Sequence, residues 1–226
     1  MMHLILGDTE VEIVPQSIQG HPAVVKHAKL RKKRPSRILL DASFHHQAIR
    51  SKYPEEAERR GRPDIAHMVL MNAQESILNK AGLLRVYVHT RNNDVIHISP
   101  ETRLPKAYHR FVGLIEHVFQ NKYVPNKENP LLFLEKMSLQ ALAKKCGGKL
   151  VVLSERGKRV NLGKYDIPED VTFIIGGFPN GDFLSNIDFA DEIISIYPQT
   201  LMAWVATYEI ITEYERRYLK WNFEGE

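Results

Sequence analysis

The chain of 226 residues has one cysteine and no long hydrophobic run. Cys146 alone cannot form an intramolecular disulfide, and a zinc site based on cysteine would need more thiols. No apolar stretch approaches the roughly 20 residues that a helix needs to cross a bilayer. The first residues, Met1–Asp8, lack the pattern of a secretory signal. With 43% hydrophobic and 26% charged residues, we expect a soluble cytoplasmic protein with a substantial core and no membrane partner.

Charge of one sign is missing from two segments. Ile13–Leu40 has no acidic residue. Its cations are Lys26, Lys29, Arg31, Lys32, Lys33, Arg34 and Arg37. Tyr165–Glu215 has ten acidic residues and no Lys or Arg, so a chain with a net charge of +4 carries about +14 elsewhere, chiefly in its first three-quarters. This distribution would attract a polyanion such as RNA or DNA; the alternative is a solvated surface that only keeps the protein soluble.

Several catalytic motifs are also absent. No G-x-S-x-G elbow occurs, which argues against a serine hydrolase of that type. The glycine-containing loop Ile175–Phe183 lacks the spacing of the dinucleotide fingerprint, and Asp182-Phe183 stands where a P-loop has Lys and Ser or Thr. The pair His45-His46 has no matching cluster of Asp, Glu or Cys, so no metal site is predicted.

The order of predicted elements indicates an α/β fold around a mainly parallel sheet. The predicted helices are Asp64–Lys80, Ala107–Asn121, Ser138–Cys146 and roughly Leu201–Leu219. The predicted strands are Arg37–Asp41, Leu84–His89 with Asp94–Ser99 as its hairpin partner, Lys149–Leu153, Val171–Ile175 and Glu192–Ile196. Ala42–His46 is predicted as a loop. Ligands of such sheets bind beyond the carboxyl ends of the strands.

Two loops that follow predicted strands are candidate ligand sites. In the first, Gly176, Gly177 and Gly181 would let the backbone approach a ligand closely; a plain glycine turn is the alternative. The second, Ser195–Thr200, leads into the last helix, and a role for Thr200 as the helix cap would alone explain that residue. Two such loops before a final helix form a more specific pattern than either loop alone.

The whole chain resembles a known family. The motifs that carry the resemblance are Leu39–His46, Arg59–Ile65, Leu78–Gly82, Ile98–Pro100, Arg103–Phe111, Gly176–Gly181 and Ile194–Leu201. They resemble the pseudouridine N(1)-methyltransferases of archaeal and eukaryotic ribosome biogenesis, which belong to the SPOUT class. The resemblance implies an α/β knot with a mainly parallel sheet, a C-terminal trefoil knot that holds S-adenosylmethionine, and a small added α/β elaboration. It implies one domain, 1–226, with the knotted part at about 147–226.

The resemblance also implies roles for individual residues. Those implied for the cofactor are Gly176, Gly177, Gly181, Ile194, Ser195, Ile196, Tyr197, Pro198, Gln199 and Leu201. Those implied for RNA are Arg62, Arg103, Lys106 and Arg110, with Asp64 steadying Arg62. The family favours Pro-Leu-Ser-Ala at Pro198–Leu201 and Arg at position 106, so this chain departs at both places. From spacing alone, the cations could be a solvated face of a helix that begins near Lys106, and Asp64 could be a helix N-cap.

The implied reaction is methylation of N(1) of a pseudouridine in small-subunit ribosomal RNA, by a homodimer that has small-subunit ribosomal proteins as possible partners. Asp64 and Asp41 are the carboxylates to consider as proton acceptors, and Arg62 could stabilise charge developing on the base. Two alternatives stay open. One is an assembly factor that binds ribosomal RNA and for which methylation is secondary; the other is a SPOUT ribose 2′-O-methyltransferase acting on transfer RNA.

Overall fold

The computed structural model describes residues 1–219, and within them the chain forms seven α-helices and eight strands. The helices are α1 (Pro22–Leu30), α2 (Ala42–Lys52), α3 (Pro63–Glu75), α4 (Ile77–Lys80), α5 (Tyr108–Asn121), α6 (Leu139–Cys146) and α7 (Ala203–Tyr218). The strands are β1 (Met2–Thr9), β2 (Leu84–Thr90), β3 (Asp94–Ile98), β4 (Tyr123–Val124), β5 (Leu132–Lys136), β6 (Lys149–Arg159), β7 (Val171–Gly176) and β8 (Glu192–Ser195). None of these helices has the length and apolar character that crossing a membrane requires.

All eight strands form one sheet in the order β4-β5-β3-β2-β1-β7-β6-β8. The five strands from β2 to β8 in that order are parallel to one another. β3, β5 and β4 extend the sheet as antiparallel strands beyond β2. The predicted mainly parallel sheet and the predicted hairpin are therefore confirmed.

The register brings the carboxyl ends of four strands together. Gly7 in β1 lies opposite Gly176 in β7, and Leu153 in β6 lies opposite both Ile175 in β7 and Ile194 in β8. Because these strands are parallel, the loops that follow them leave the sheet at one edge. That edge is the place where sheets of this type bind ligands.

Helices cover both faces of the sheet, as alternation along β1 requires. Leu4 and Leu6 point to the larger core, which includes Phe111 of α5 and Ile210 of α7. Ile5 points to the opposite face and belongs to the cluster formed with α6. The strands are buried on both sides, which explains why β7 reads as the mostly apolar run Val-Thr-Phe-Ile-Ile and does not alternate with charged residues.

The chain between β1 and α3 forms a mostly helical elaboration with its own core. Residues from α1, α2 and the segment before α2 make up this core, including Val24, Ile38 and Ile49. The fully buried carboxylate of Glu116 in α5 ties it to the sheet. Glu116 accepts hydrogen bonds from Arg31 at 2.8 Å and from Lys33 and the backbone nitrogen of Leu39. Two of the seven cations in the basic segment therefore have a structural role.

The structure corrects several predicted elements. Arg37–Asp41 is not a strand, since only Leu39 makes an isolated bridge, with Ile13. Ala42–His46 is the start of α2, not a loop, and Asp41 caps it by accepting from the backbone nitrogen of Ser43 at 2.9 Å. The predicted helix Asp64–Lys80 is split at Ser76, whose side chain caps α4. β1, the strand at the middle of the sheet, was not predicted at all.

The other predicted elements are confirmed with small shifts of their ends, except that β6 runs on to Arg159. The trefoil knot and the single domain 1–226 stay predictions, and residues 220–226 lie outside the described part of the chain.

Candidate functional site: a cavity at the sheet edge beside an arginine–aspartate pair

A cavity of about 360 Å³ lies at the carboxyl edge of β6, β7 and β8. Most of the predicted cofactor residues line it, namely Gly176, Gly181, Ile194, Ser195, Ile196, Tyr197, Gln199 and Leu201. The two predicted residues that do not line it are Gly177 and Pro198. Gly177 instead packs against Thr9, and any Cβ at this position would collide with that residue. Thr200 lines the cavity and does not cap α7, because Met202 occupies the cap position.

A third segment of the cavity wall was missed by the sequence reasoning. Leu153–Arg156 lines the cavity where β6 bulges, so that Leu153 and Lys158 both lie opposite Ile194. Gly157 permits this close approach, because a Cβ there would lie 2.5 Å from the carbonyl carbon of Ile194. The glycine was the one local signal of the bulge.

The chemistry of the cavity wall suits an uncharged or cationic ligand better than a phosphate. Aliphatic side chains, including those of Leu153, Ile175 and Ile194, line it together with polar groups. Within residues 1–219, Arg156 is the one cation that lines it, and this guanidinium pairs with Asp182 at 2.6 Å. No free cation among the lining residues therefore faces a ligand, and a nucleoside linked to a sulfonium fits this surface.

Asp8, at the end of β1, holds the chain that follows the glycine loop. Its buried carboxylate accepts from the backbone nitrogens of Leu184 and Ser185 at 2.7 and 2.8 Å, and from the Ser185 hydroxyl at 2.7 Å. The backbone nitrogen of Asp8 donates to Nδ1 of His89, which makes this nitrogen an acceptor. Burial lowers the pKa of His89, in agreement with a neutral ring. The contacts of Asp8 with Leu184 and Ser185 span more than 170 residues, so no local pattern could have indicated them.

Arg62 and Asp64 form a forked ion pair at the start of α3. Arg62 donates from Nε to Oδ1 of Asp64 at 2.8 Å and from Nη2 to Oδ2 at 2.7 Å. The hydrogen bond to Asp64 raises the pKa of Arg62. Both side chains remain partly accessible. Arg62, not Asp64, occupies the N-cap position, so the alternative of Asp64 as a helix cap is wrong.

The other candidate carboxylate, Asp41, is already engaged. Its Oδ2 accepts from the Tyr108 hydroxyl at 2.6 Å, while its Oδ1 caps α2. Burial, followed by the hydrogen bond and charge of Asp41, raises the pKa of Tyr108, so this hydroxyl stays protonated. The charges of Tyr108 and Asp41 also raise the pKa of Arg62, by less than Asp64 does. Tyr108 belongs to the motif Arg103–Phe111, but the sequence did not predict its contact with Asp41.

The remaining predicted RNA-binding cations are exposed. Arg103 and Lys106 lie in the loop before α5, and only Arg110 lies in the helix, which begins at Tyr108. The predicted helical face that starts near Lys106 is therefore wrong for the first two. Within residues 1–219, none of the three forms an ion pair. His67 holds the loop through the carbonyl of Pro105 at 3.0 Å.

The backbone of Glu10 joins the two halves of the site. Its nitrogen donates to the carbonyl of Gly177 at 3.1 Å, and its carbonyl accepts from the nitrogen of Arg62 at 3.0 Å. One residue of the segment after β1 therefore connects the glycine loop to the arginine–aspartate pair. The arrangement can hold a small molecule in the cavity while an anionic polymer contacts the cations beside it.

The ring of His45 is held by hydrogen bonds inside the protein. Its Nδ1 accepts from the backbone nitrogen of Asp41 at 3.1 Å, and its Nε2 lies 2.9 Å from Nδ1 of His27. Both ring nitrogens are therefore engaged within the protein. In the part of the chain that the structure describes, no group of three or more His, Cys, Asp or Glu is placed to hold a metal ion.

Comparison with known proteins identifies the family. The sequence profile described as EMG1/NEP1 methyltransferase matches residues 4–215. The chain is 48% identical to the "Ribosomal RNA small subunit methyltransferase Nep1" of Thermococcus sibiricus, over 95% of this chain and 98% of the relative. It is 45% identical to the protein of the same name from Pyrococcus furiosus, over 97% and 98%.

A solved structure agrees with this match. The crystal structure of Archaeoglobus fulgidus Nep1 bound to S-adenosylhomocysteine superposes with a TM-score of 0.84 and 35% sequence identity, and the match covers 94% of this chain and 96% of that one. The fold, the order of the motifs and these matches lead to one assignment. The chain belongs to the EMG1/NEP1 methyltransferase family.

Proposed function

We propose that this protein methylates small-subunit ribosomal RNA and uses S-adenosylmethionine as the methyl donor. The single observation that carries the proposal is the cavity at the sheet edge, which eight of the predicted cofactor residues line. Its volume falls in the range of small-molecule sites, and the described part of its wall has no unpaired cation of the kind that a triphosphate would need. The relative that was solved with S-adenosylhomocysteine shares this fold, and the curated relatives are named for ribosomal RNA, which favours ribosomal over transfer RNA.

We further infer that the methyl group goes to N(1) of a pseudouridine. When bound, S-adenosylmethionine supplies a methyl group on a positively charged sulfur. The aliphatic side chains and the glycine loop that line the cavity would orient that group toward a base held beside Arg62. The N(1) proton must leave for the nitrogen to become a good nucleophile, and Arg62 would stabilise the resulting negative charge.

Asp64 is the better candidate of the two carboxylates for accepting or relaying that proton. Its side chain is 44% exposed and stands beside Arg62. Asp41 is buried and already accepts hydrogen bonds from Tyr108 and Ser43. A water molecule between the base and Asp64 would serve equally well.

An assembly factor for which methylation is secondary needs the same RNA surface, and a cofactor-loop variant separates the two functions. Gly181→Trp should distort the cavity wall, because Gly181 lines it at φ +83°, which side chains rarely adopt, and a Cβ there would lie 3.3 Å from Nη1 of Arg59. We expect this variant to bind RNA like the wild type but to transfer no radiolabelled methyl group to small-subunit RNA. A Gly181→Trp protein that still methylates would contradict the proposed cavity; a strain that needs the protein but tolerates this variant would favour the assembly role.

We also propose that the protein is a homodimer that acts in the cytoplasm, with small-subunit ribosomal proteins as neighbours. Exposed apolar side chains occur in the second cavity loop and in the segment that leads from it into α7, and α7 contributes two of them. They are Tyr197, Met202, Val205 and Tyr208. Such a patch favours a second copy of the chain as its cover. Light scattering should give a dimer for the wild type and a monomer for Tyr208→Glu; a monomeric wild type would overturn the dimer.

A further inference from the structure

A largely buried arginine holds the glycine loop from outside the cavity. Arg59 lies between α2 and α3 and does not line the cavity. Its Nη1 donates to the carbonyl of Asp182 at 2.6 Å and reaches that of Asn180 at 3.4 Å. A Cβ built on Gly181, the residue between them, would lie 3.3 Å from the same nitrogen. Arg59 therefore contacts the tip of the loop, whose residues Asn180–Asp182 also line the cavity.

Two further contacts fix the Arg59 guanidinium. It lies over the ring of Phe178, with 4.0 Å from Cζ to the ring centre, and its Nε donates to Oε1 of Glu10 at 2.7 Å. Glu10 is fully buried and also accepts from Arg91 at 2.8 Å, so its carboxylate cannot move to follow Arg59. Nη2 of Arg59 is buried without a hydrogen-bond partner within residues 1–219. An unsatisfied buried donor costs stability, so packing alone does not explain an arginine here.

We propose that Arg59 is a positioning residue that holds the loop Phe178–Asp182 in the shape that binds the cofactor. The inference rests on the proposed function, because it takes the cavity to be the cofactor site. Arg59 lies only three residues before Arg62, a residue proposed to contact RNA. The segment that contributes to the RNA surface would therefore also shape the wall of the cofactor cavity. Without Arg59 the loop would have to be ordered during binding, and cofactor affinity would fall although no cofactor contact is lost.

Arg60 is a matched control in the adjacent position. Its side chain is 10% exposed, compared with 13% for Arg59. It pairs with Glu12 at 2.6 Å and Glu56 at 2.9 Å, and it lies over the ring of Tyr53 at 4.0 Å. In the described part of the chain its contacts do not include the glycine loop. A change at Arg60 therefore removes the same kinds of interaction without releasing that loop.

The test is calorimetric titration of the full chain with S-adenosylhomocysteine, together with thermal unfolding of each variant. Lysine keeps the charge toward Glu10 but not the planar fork. We expect Arg59→Lys to raise Kd at least about fivefold, Arg59→Gln to raise it further, and Arg60→Lys to leave it within about twofold. Arg59→Lys and Arg60→Lys should lower the Tm by similar amounts. Where Arg59→Gln does not fold, the two lysine variants alone decide.

Two outcomes would overturn the inference but leave the proposed function standing. One is an equal change in Kd for Arg59→Lys and Arg60→Lys. The other is a lower Tm for Arg59→Lys with an unchanged Kd, which would make its role merely structural. A wild-type chain that does not bind S-adenosylhomocysteine would overturn this inference and the proposed cofactor together.

Discussion

At the scale of single residues, the fork between Arg62 and Asp64 is the most specific chemical feature beside the cavity. Two parallel hydrogen bonds fix the guanidinium plane as well as its position, which a single contact would not do. Part of each side chain remains accessible to a ligand. The pair can therefore present a fixed cation to the base while keeping a carboxylate near it.

Asp64→Asn should slow methyl transfer by at least about tenfold, because one half of the fork and the carboxylate charge are lost. The affinity for S-adenosylhomocysteine should not change, since Asp64 does not line the cavity. Single-turnover kinetics and calorimetry measure the two quantities. Asp166→Asn, at an exposed position, is the control. An equal loss of cofactor affinity in Asp64→Asn would contradict the assignment.

His45 makes stability depend on pH. Burial and the neighbouring His27 lower its pKa from 6.5 to about 4, although the nearby Asp41 acts in the opposite direction and His21 adds to the lowering. The folded state therefore keeps His45 neutral, while the unfolded chain binds a proton below pH 6.5. The stability from the neutral ring is complete above pH 6.5 and is lost as the pH falls toward 4.

Between pH 6.5 and 5, His45 should account for the loss of about 1.5 kcal/mol of unfolding free energy. Urea denaturation at both pH values measures the loss in the wild type and in His45→Gln, which cannot titrate at this position. The burial of His27 and His89 lowers their pKa values too, so part of the pH dependence remains in the variant. Identical pH dependence in the two proteins would show that His45 does not contribute.

At the scale of elements, the bulge in β6 is what shapes the cavity wall. Gly157→Ala would place a Cβ 2.5 Å from the backbone of Ile194, so β6 and β8 must separate. We expect a loss of about 1–3 kcal/mol in stability and at least about a tenfold loss in cofactor affinity.

Gly113→Ala is the control for that change, because a Cβ there meets nothing within 4 Å. In the interior of α5 it should stabilise the protein by about 0.5–1 kcal/mol and leave the cofactor affinity unchanged. Denaturant unfolding and calorimetry on both variants provide the comparison. Wild-type cofactor affinity in Gly157→Ala would show that the bulge does not shape the site.

The sequence predicted the elements that have strong local signals. β7 is a β-branched apolar run, and α6 begins with a serine cap, so both were predicted to within a residue. α2 was predicted as a loop because its buried face includes the polar residue His45. Asp41, which precedes α2, is nevertheless a good N-cap. β1 was missed because its apolar run is short and only its neighbours β2 and β7 make it a central strand.

The two cofactor loops were predicted from glycines and family motifs, and the structure brings them to one cavity. Asp8, Arg59 and the β6 bulge were not predicted. Their partners are far away in sequence, as for Arg59 and Asp182, which are separated by 123 residues. Interactions at that separation depend on the tertiary fold and leave no local pattern in a single sequence.

At the scale of the whole molecule, the uneven distribution of charge along the chain favours a polyanion beside the exposed cations around the start of α5. The acidic segment Tyr165–Glu215 ends in α7, whereas Arg103, Lys106 and Arg110 are exposed around the start of α5. The basic segment before Arg37 is only partly free, because Arg31 and Lys33 are both paired with Glu116. The cations around α5 are therefore the stronger candidates for RNA binding.

Arg110→Ala should weaken RNA binding and reduce the slope of log K against log salt by about 0.7, the value for one phosphate contact on a single strand. Fluorescence anisotropy with a labelled hairpin at several salt concentrations gives both values. Arg216→Ala removes an exposed cation near the end of α7 and should leave the slope unchanged. Equal slopes for Arg110→Ala and the wild type would exclude a phosphate contact at Arg110.

The most direct test of the proposed function is methyl transfer to two matched small-subunit RNA hairpins. They carry uridine or pseudouridine at one loop position and are otherwise identical. With labelled S-adenosylmethionine, we predict transfer to the pseudouridine hairpin alone, with the methyl group on N(1) in the digested nucleoside. Equal transfer to both hairpins would contradict pseudouridine as the target. Tight binding of both hairpins without any transfer would favour the assembly factor over the methyltransferase.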